Sequence, residues 1–323
     1  MPQPAVRTES QRRGRTPAPA TTQAKTPWDA AVNHFLSEGR RRNLTAATLE
    51  NYDWYLRGVR IEAFRADCGV EEPGDLTAAL LQRFETELMG AGLGAGTVHT
   101  FHTVIQNFIR FCRREGYQAD PDVLEVSGPR RAQMEPETFS QEEEERLFAA
   151  LKSRPRDDMM LRFMLRTGLR LQEVCNATVD DIVDTPQGAY VRVRQGKGRK
   201  DRAVPLDTPL EPLSTKLARY VAKVRPRDTN QRALFLTQRK DGADYAPLTP
   251  HAIQTLMKRL TADTGVHVNP HKFRHTFATR ALGAGVDVMA LQKALGHTTL
   301  AMVSRYVHYQ KDDLLDAWRQ RRD

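Results

Sequence analysis

The sequence predicts a mainly α chain with a small β-hairpin or sheet in its second half (α+β), organised as a helical bundle followed by a second domain. Three observations predict this. Apolar side chains recur at three- and four-residue spacing over 28–116 and again beyond 138. The period falls to two only between Gly188 and Leu206. A stretch bearing Pro121, Gly128, Pro129 and Pro136 among charged residues breaks both periods and reads as a linker over 118–137. At 323 residues with 40% apolar content, the chain can fill two ordinary cores.

Residues 1–27 carry almost no large apolar side chain and cannot repay their ordering entropy, so they read as a flexible basic tail. The first domain spans 28–117. Val32, Phe35 and Leu36 open its pattern, and Leu49, Tyr52 and Leu56 continue it. Leu81, Phe84 and Leu88 follow, then the stripe Val98, Phe101, Val104, Ile105, Phe108 and Ile109, giving a bundle of about four helices. Thr45 and Thr97 stand where N-caps are expected, and Gly90 to Gly96 reads as a loop before the last helix.

The second domain spans 138–323. Ser140 and Glu143 form a capping box for a helix burying Leu147, Phe148 and Leu151. A helix from Met159 to Thr167 ends at Gly168. Tyr190, Val191 and Val193 lead into Gln195-Gly196-Lys197-Gly198, and Ala203, Val204 and Leu206 lead out, which is a hairpin with a lysine at its tip. Helical patterns resume at 211–224, 249–263, 271–284, 287–295 and 300–318.

Forty-nine Lys and Arg against 40 Asp and Glu give a net charge of +9, which favours an anionic partner without identifying it. Cys68, Cys112 and Cys175 are odd in number and lack metal-ligand spacing, so a reducing cytoplasm is the expected setting. No stretch reaches the roughly 18 consecutive apolar residues of a membrane span, and no signal-peptide segment opens the chain.

Four short segments carry chemistry. Thr167-Gly168-Leu169-Arg170-Leu171-Gln172-Glu173 places an arginine just beyond a helix end. Gly196-Lys197-Gly198 continues as Arg199-Lys200-Asp201-Arg202-Ala203-Val204-Pro205-Leu206. The third is His271-Lys272-Phe273-Arg274-His275-Thr276-Phe277-Ala278-Thr279, and the fourth is Leu295-Gly296-His297 with Tyr306 nine residues later. Singly, each occurs often by chance. Their ordered conjunction, over about 138–310, resembles the phage-integrase or tyrosine recombinase family.

That resemblance implies a SAM-like, core-binding helical bundle followed by a tyrosine recombinase catalytic domain. It implies a catalytic set of Arg170, Lys197, His271, Arg274 and His297 around one scissile phosphate, with Tyr306 as the nucleophile. It also implies site-specific recombination through a covalent 3′-phosphotyrosine and a Holliday junction, with no cofactor, metal or ATP. The expected partners are double-stranded DNA sites and further subunits of a tetramer, with a paralogous recombinase or accessory DNA-bending proteins as additional candidates. A nucleoid-associated, cytoplasmic location follows, and the two-domain layout leans toward the Xer-like form. The helix bearing Leu314, Leu315 and Trp318 is expected to dock on a neighbouring subunit. Residues Thr299 to Arg305 depart from the family, with Met302 and Val303 where a threonine pair is common.

The chemistry of this set can be argued on its own terms. A phosphodiester attacked by a phenolate passes through a dianion-like state, which fixed positive charge on the non-bridging oxygens stabilises. Guanidinium offers permanent charge and paired donors matched to phosphate. His271 and Arg274, three apart on a helix, share a face. An ammonium at Lys197 can protonate the leaving 5′ oxygen. His271 and His297 would donate hydrogen bonds to the phosphate, and His271 could take the tyrosine proton. A tyrosine with an ordinary pKa near ~10 needs such a cationic setting to attack at neutral pH.

Glu173 is expected to orient Arg170 or nearby backbone, and His275 to be structural. Tyr309 is the rival nucleophile, disfavoured by its offset from His297. Arg40, Arg41 and Arg42 read as a helix start, where basic side chains and backbone N–H groups would meet phosphates. Thr45, Arg199, Lys200 and Arg202 join them as candidate DNA contacts. Two other readings share parts of these features: a type IB topoisomerase and a catalytically silent site-specific DNA-binding protein.

Overall fold

A computed structural model describes residues 26–130, 136–194, 201–208 and 211–296. The chain divides into two compact units, Met1–Gln133 and Met134–Asp323, each with its own apolar core.

The described part of the first unit contains five helices: α1 (Pro27–Arg41), α2 (Ala46–Arg57), α3 (Val59–Cys68), α4 (Ala78–Gly90) and α5 (Ala95–Arg114). Threonine hydroxyls cap three of them: Thr26, Thr45 and Thr77 accept from Asp29, Thr48 and Leu80 N–H. Of the two caps expected here, Thr45 is one of these and Thr97 is displaced. Gly94 is the N-cap of α5 and Thr97 lies inside its first turn, so the Gly-rich loop is shorter than 90–96. α5 carries the core, burying Phe101, Ile105, Phe108 and Ile109 among others. Trp28 packs edge-on to Phe108 with ring centroids 4.9 Å apart, and its indole N–H donates to the Leu56 carbonyl at 3.1 Å.

The count exceeds four because Gly58 divides α2 from α3. A Cβ there would lie 2.3 Å from the Trp54 carbonyl oxygen, so only glycine lets the chain turn so sharply. The stretch expected as linker from 118 is, up to Val126, packed on this unit. Val123 and Val126 are buried, and the Gln106 amide donates to the carbonyls of Val123, Leu124 and Val126 at 3.0–3.1 Å.

The second unit starts with α6 (Gln141–Ala149), α7 (Pro155–Thr167) and α8 (Leu171–Asn176). Ser140 and Glu143 form the expected capping box. A three-stranded antiparallel sheet follows, in the order β1 (Ile182–Val183), β2 (Tyr190–Val193), β3 (Arg202–Pro205). Val191 faces Val204 and Val193 faces Arg202, as the alternation required. The short strands β4 (Asp207–Thr208) and β5 (Glu211–Pro212) pair ahead of α9 (Leu213–Lys223). The second hairpin, β6 (Leu236–Asp241) with β7 (Asp244–Pro247), had no counterpart in the sequence reading.

Three helices complete the described part: α10 (Pro250–Thr264), α11 (Pro270–Gly283) and α12 (Val288–Leu295). The core gathers Phe163, Phe235 and Phe273, all fully buried, with Phe139 against Phe273 at 4.8 Å between centroids. Among the described residues no helix is long and apolar enough to cross a membrane.

Candidate active site

Three of the four sequence boxes, the first, third and fourth, meet at one helix end, and the second reaches it through its flank. The Thr167–Glu173 box sits at the junction of α7 and α8. The Thr167 hydroxyl donates to the Phe163 carbonyl at 2.5 Å, and Gly168 ends α7 in the left-handed region at φ 59°. A Cβ on Gly168 would lie 2.4 Å from Phe277 Cδ1 and 3.2 Å from Leu295 Cδ2. Glycine there lets α7 end directly against α11 and α12. The next turn of backbone presents Arg170 as the N-cap residue of α8.

Arg274 projects from α11, 6% exposed. Its Nη1 donates to the Gly168 carbonyl at 2.7 Å and its Nη2 to the Leu295 carbonyl at 2.5 Å. Arg170 Nη2 donates to the next carbonyl, Gly296, at 3.1 Å. Arg202, from the first position of β3, donates through Nε to the preceding one, Ala294, at 2.7 Å. Three guanidiniums therefore take three consecutive carbonyls at the C-terminus of α12, where orphan carbonyls and the helix dipole favour cations. Gly296 closes that helix at φ 63°.

Glu173 binds the group together. Its Oε1 accepts from Arg170 Nη1 at 3.1 Å and Arg202 Nη1 at 2.9 Å. Its Oε2 accepts from the Arg170 backbone N–H at 2.8 Å and Arg202 Nη2 at 2.7 Å. Burial alone would raise this carboxyl, but the hydrogen bonds from Arg202 and Arg170 and their charges hold it below the ordinary range. Glu173 thus orients Arg170, as expected. The side chain of Arg170 stays 31% exposed, whereas Glu173 and Arg202 are near 10%. Beside Arg170 a cleft of about 270 Å³ runs between α8 and β2, lined also by Gln172, Asn176, Arg192 and Arg194.

His271 occupies the first turn of α11 and is exposed, one turn before Arg274. Its ring lies 6.2 Å from that of His275. The start of α11 is anchored by a residue the sequence reading passed over. Lys272, 4% exposed, donates to both oxygens of Glu143 at 3.0 and 2.9 Å. Its ammonium also sits 4.7 Å from the Phe139 ring centre. The signal was present in Glu143, the capping-box acid, but its partner lies 129 residues on.

Lys197, Arg199, Lys200, His297, Tyr306, Tyr309 and the helix expected over 300–318 lie outside the described residues. The expectations for Arg202 and for the Arg40–Arg42 triplet need correction. Arg202 is not a surface cation: its guanidinium is committed to Glu173 and Ala294, leaving no open face for DNA. Arg40 and Arg41 are in the last turn of α1 and Arg42 is its C-cap, so the triplet ends a helix and does not begin one. Asn43, at φ 56°, then turns the chain into Thr45, the cap of α2. All three arginines are exposed. Arg41 is paired with Glu38 at 2.6 and 2.7 Å, while Arg40 and Arg42 form no ion pair among the described residues.

Comparison with known proteins agrees with this geometry. The phage integrase family profile matches residues 137–313. The chain is 31% identical over 271 residues to the tyrosine recombinase XerA of Thermococcus kodakarensis, covering 84% of this chain and 87% of that protein. It is 30% identical over 257 residues to the tyrosine recombinase XerC of Oceanobacillus iheyensis, covering 77% and 82%. In fold it is similar to an integrase of the transposon Tn1549 in complex with a circular intermediate DNA, with a TM-score of 0.70 and 18% identity over 90% of this chain and 98% of that one. It is also similar to a lambda integrase dimer bound to a COC′ core site, with a TM-score of 0.68 and 17% identity over 87% and 97%. With its family profile spanning more than half the chain and Xer recombinases matched over most of their length, the chain belongs to the phage integrase family of tyrosine recombinases.

Proposed function

We propose that this protein recombines DNA at specific sites, using the second unit to cleave and rejoin strands through a 3′-phosphotyrosine on Tyr306. The observation that carries the reading is the convergence of Arg170 and Arg274 on the carbonyls of Leu295 and Gly296, immediately before His297. Backbone oxygens take up part of each guanidinium and fix its direction. Arg170 itself stays 31% exposed, with N–H groups beyond these bonds for a phosphate to accept.

In this reading Arg170 and Arg274 hold the non-bridging oxygens of the scissile phosphate. His271 and His297 donate further hydrogen bonds, and His271 accepts the proton of Tyr306 as its oxygen attacks. Lys197 gives a proton to the departing 5′ oxygen. One phosphodiester replaces another of similar energy, so rejoining needs no ATP, and the guanidiniums provide the charge stabilisation that other nucleases draw from metal ions.

The helical first unit would grip the duplex, with Arg40 and Arg42 as phosphate contacts and Arg199 and Lys200 adding charge from the hairpin. Relatives named XerA and XerC, and a lambda integrase crystallised as a dimer on a core site, support paired DNA sites and multimer assembly. We extend this to a tetramer of Xer type acting on cytoplasmic, nucleoid DNA, with strands exchanged one at a time through a Holliday junction. The helix carrying Leu314, Leu315 and Trp318 would dock between subunits.

A nicked suicide duplex tests the chemistry. The wild-type chain should form a covalent adduct without ATP, Tyr306→Phe should bind DNA and form none, and Tyr309→Phe should behave as wild type. Lys197→Ala should cleave slowly and recover on a bridging 5′-phosphorothiolate, because sulfur departs without a proton. An adduct in Tyr306→Phe would refute the assignment.

A further inference from the structure

We infer that Arg202 is a positioning residue for strand cleavage: by pairing with Glu173 and the end of α12 it keeps Arg170 aimed at the phosphate and its charge available to it. The inference rests on the reading of Arg170 as a phosphate ligand. Arg202 itself cannot play that part. Its three nitrogens are all engaged, Nε with Ala294 O and the two Nη atoms with the two oxygens of Glu173, which it grips as a fork.

The arrangement around Glu173 shows why a second arginine is needed. A buried carboxylate beside a substrate phosphate would repel it and could draw Arg170 into a closed bidentate pair. Arg202 takes the in-plane fork of Glu173. Arg170 is left with one side-chain bond to Oε1 and one backbone bond to Oε2, and it remains 31% exposed. Arg170, Glu173 and Arg202 together carry one net positive charge; without Arg202 they carry none.

The packing is specific to this guanidinium. A Cβ on Gly296 would lie 3.3 Å from Arg202 Cζ, Nε and Nη1, so the glycine turn that ends α12 is pressed against it. Lysine could supply the charge but not the fork. Arg202 thus joins β3, α8 and the end of α12 at one point.

The test compares single-turnover cleavage of two nicked duplexes, one with an ordinary scissile phosphate and one with a neutral methylphosphonate there. The full-length chain is used, with folding checked by circular dichroism. Arg170→Ala serves as the reference: it should slow cleavage of the phosphodiester by about 10²- to 10³-fold, and the deficit should shrink by about tenfold or more on the uncharged substrate. Arg202→Met should show the same pattern with a smaller deficit, on the order of 30-fold, again shrinking on methylphosphonate. Arg202→Lys, the second variant should Arg202→Met fold poorly, should fall between it and wild type with the same substrate dependence. Adding Glu173→Gln to Arg202→Met should restore part of the rate, since it removes the uncompensated charge. If Arg202→Met and Arg202→Lys are slowed equally on both substrates while Arg170→Ala is not, Arg202 is merely structural and the inference falls. If the Arg170→Ala deficit itself ignores the substrate charge, the reading beneath it falls instead.

Discussion

The two units bury polar groups by the same rules and to different ends. In the first, Arg65 is 7% exposed and spends its guanidinium on the Val70 carbonyl, the Thr26 hydroxyl and the face of Trp28. Glu85 and His102 meet at 2.6 Å, and Gln106 closes three carbonyls. These groups are scattered through the core, and each ties the unit to itself. In the second unit the arginines gather on one helix end, and one of the three keeps an exposed flank. The first unit spends its buried polar groups on its own packing, whereas the second converges its guanidiniums on one point, where Arg170 keeps an exposed side for a substrate.

The contrast breaks most visibly at Arg274. Arg274→Ala should slow strand cleavage by about 10³-fold. It should also cost the second unit about 3 kcal/mol by leaving the Gly168 and Leu295 carbonyls unpaired. Hydrogen exchange followed by mass spectrometry should show faster exchange in α11 and α12 and no change in α5. Equal loosening of both units would mean that the arginine cluster is not local to the site.

His102→Ala makes the reciprocal test. It leaves Glu85 buried without its partner and should cost the first unit about 3 kcal/mol, weakening DNA binding while adduct formation at saturating protein stays close to wild type. Burial raises the Glu85 carboxyl, and the hydrogen bond and charge of His102 oppose that rise. A raised folded value means the carboxyl contributes its stability below the unfolded value of 4.5, and the contribution is lost as pH rises through the folded one. The variant should therefore be least stable, relative to wild type, at neutral pH and recover on acidification, as urea melts at several pH values can show.

The smallest effect concerns the thiols. Burial pushes Cys112 up to about 12 and Cys175 up to about 11, so both should resist iodoacetamide at neutral pH while the half-buried Cys68 is labelled first. Arg274→Ala should hasten labelling of Cys175 more than of Cys112, which peptide mapping would resolve.

Much of this was legible in the sequence because it is local. The stripe from Val98 to Ile109 is α5, the alternation around Val191 and Val204 is the hairpin, and Ser140 with Glu143 caps α6. The boxes named Arg170 and Arg274, and the structure brings them to the same helix end. What escaped is non-local or unpatterned. Arg202 stands in a run of charged residues that reads as a set of DNA contacts, and its partners are 29 and 92 positions away. β6 buries Leu236 but exposes Gln238, Arg239 and Lys240, so no apolar alternation marks it; the Asp241-Gly242 turn, with Gly242 at φ 70°, was its one signal. The Arg40–Arg42 triplet was set at the wrong end of a helix because arginine suits both ends in propensity, and the break falls at Asn43, whose left-handed backbone has no periodic signature.

The residue that becomes joined to DNA bears most directly on the whole. After trapping on a nicked suicide duplex without ATP, nuclease trimming and proteolysis, mass spectrometry should find a nucleotide-bearing peptide modified at Tyr306, absent from Arg274→Ala. Modification at Tyr309 or at any other side chain, or full cleavage with no protein-linked DNA, would contradict a phosphotyrosine site built on Arg170 and Arg274.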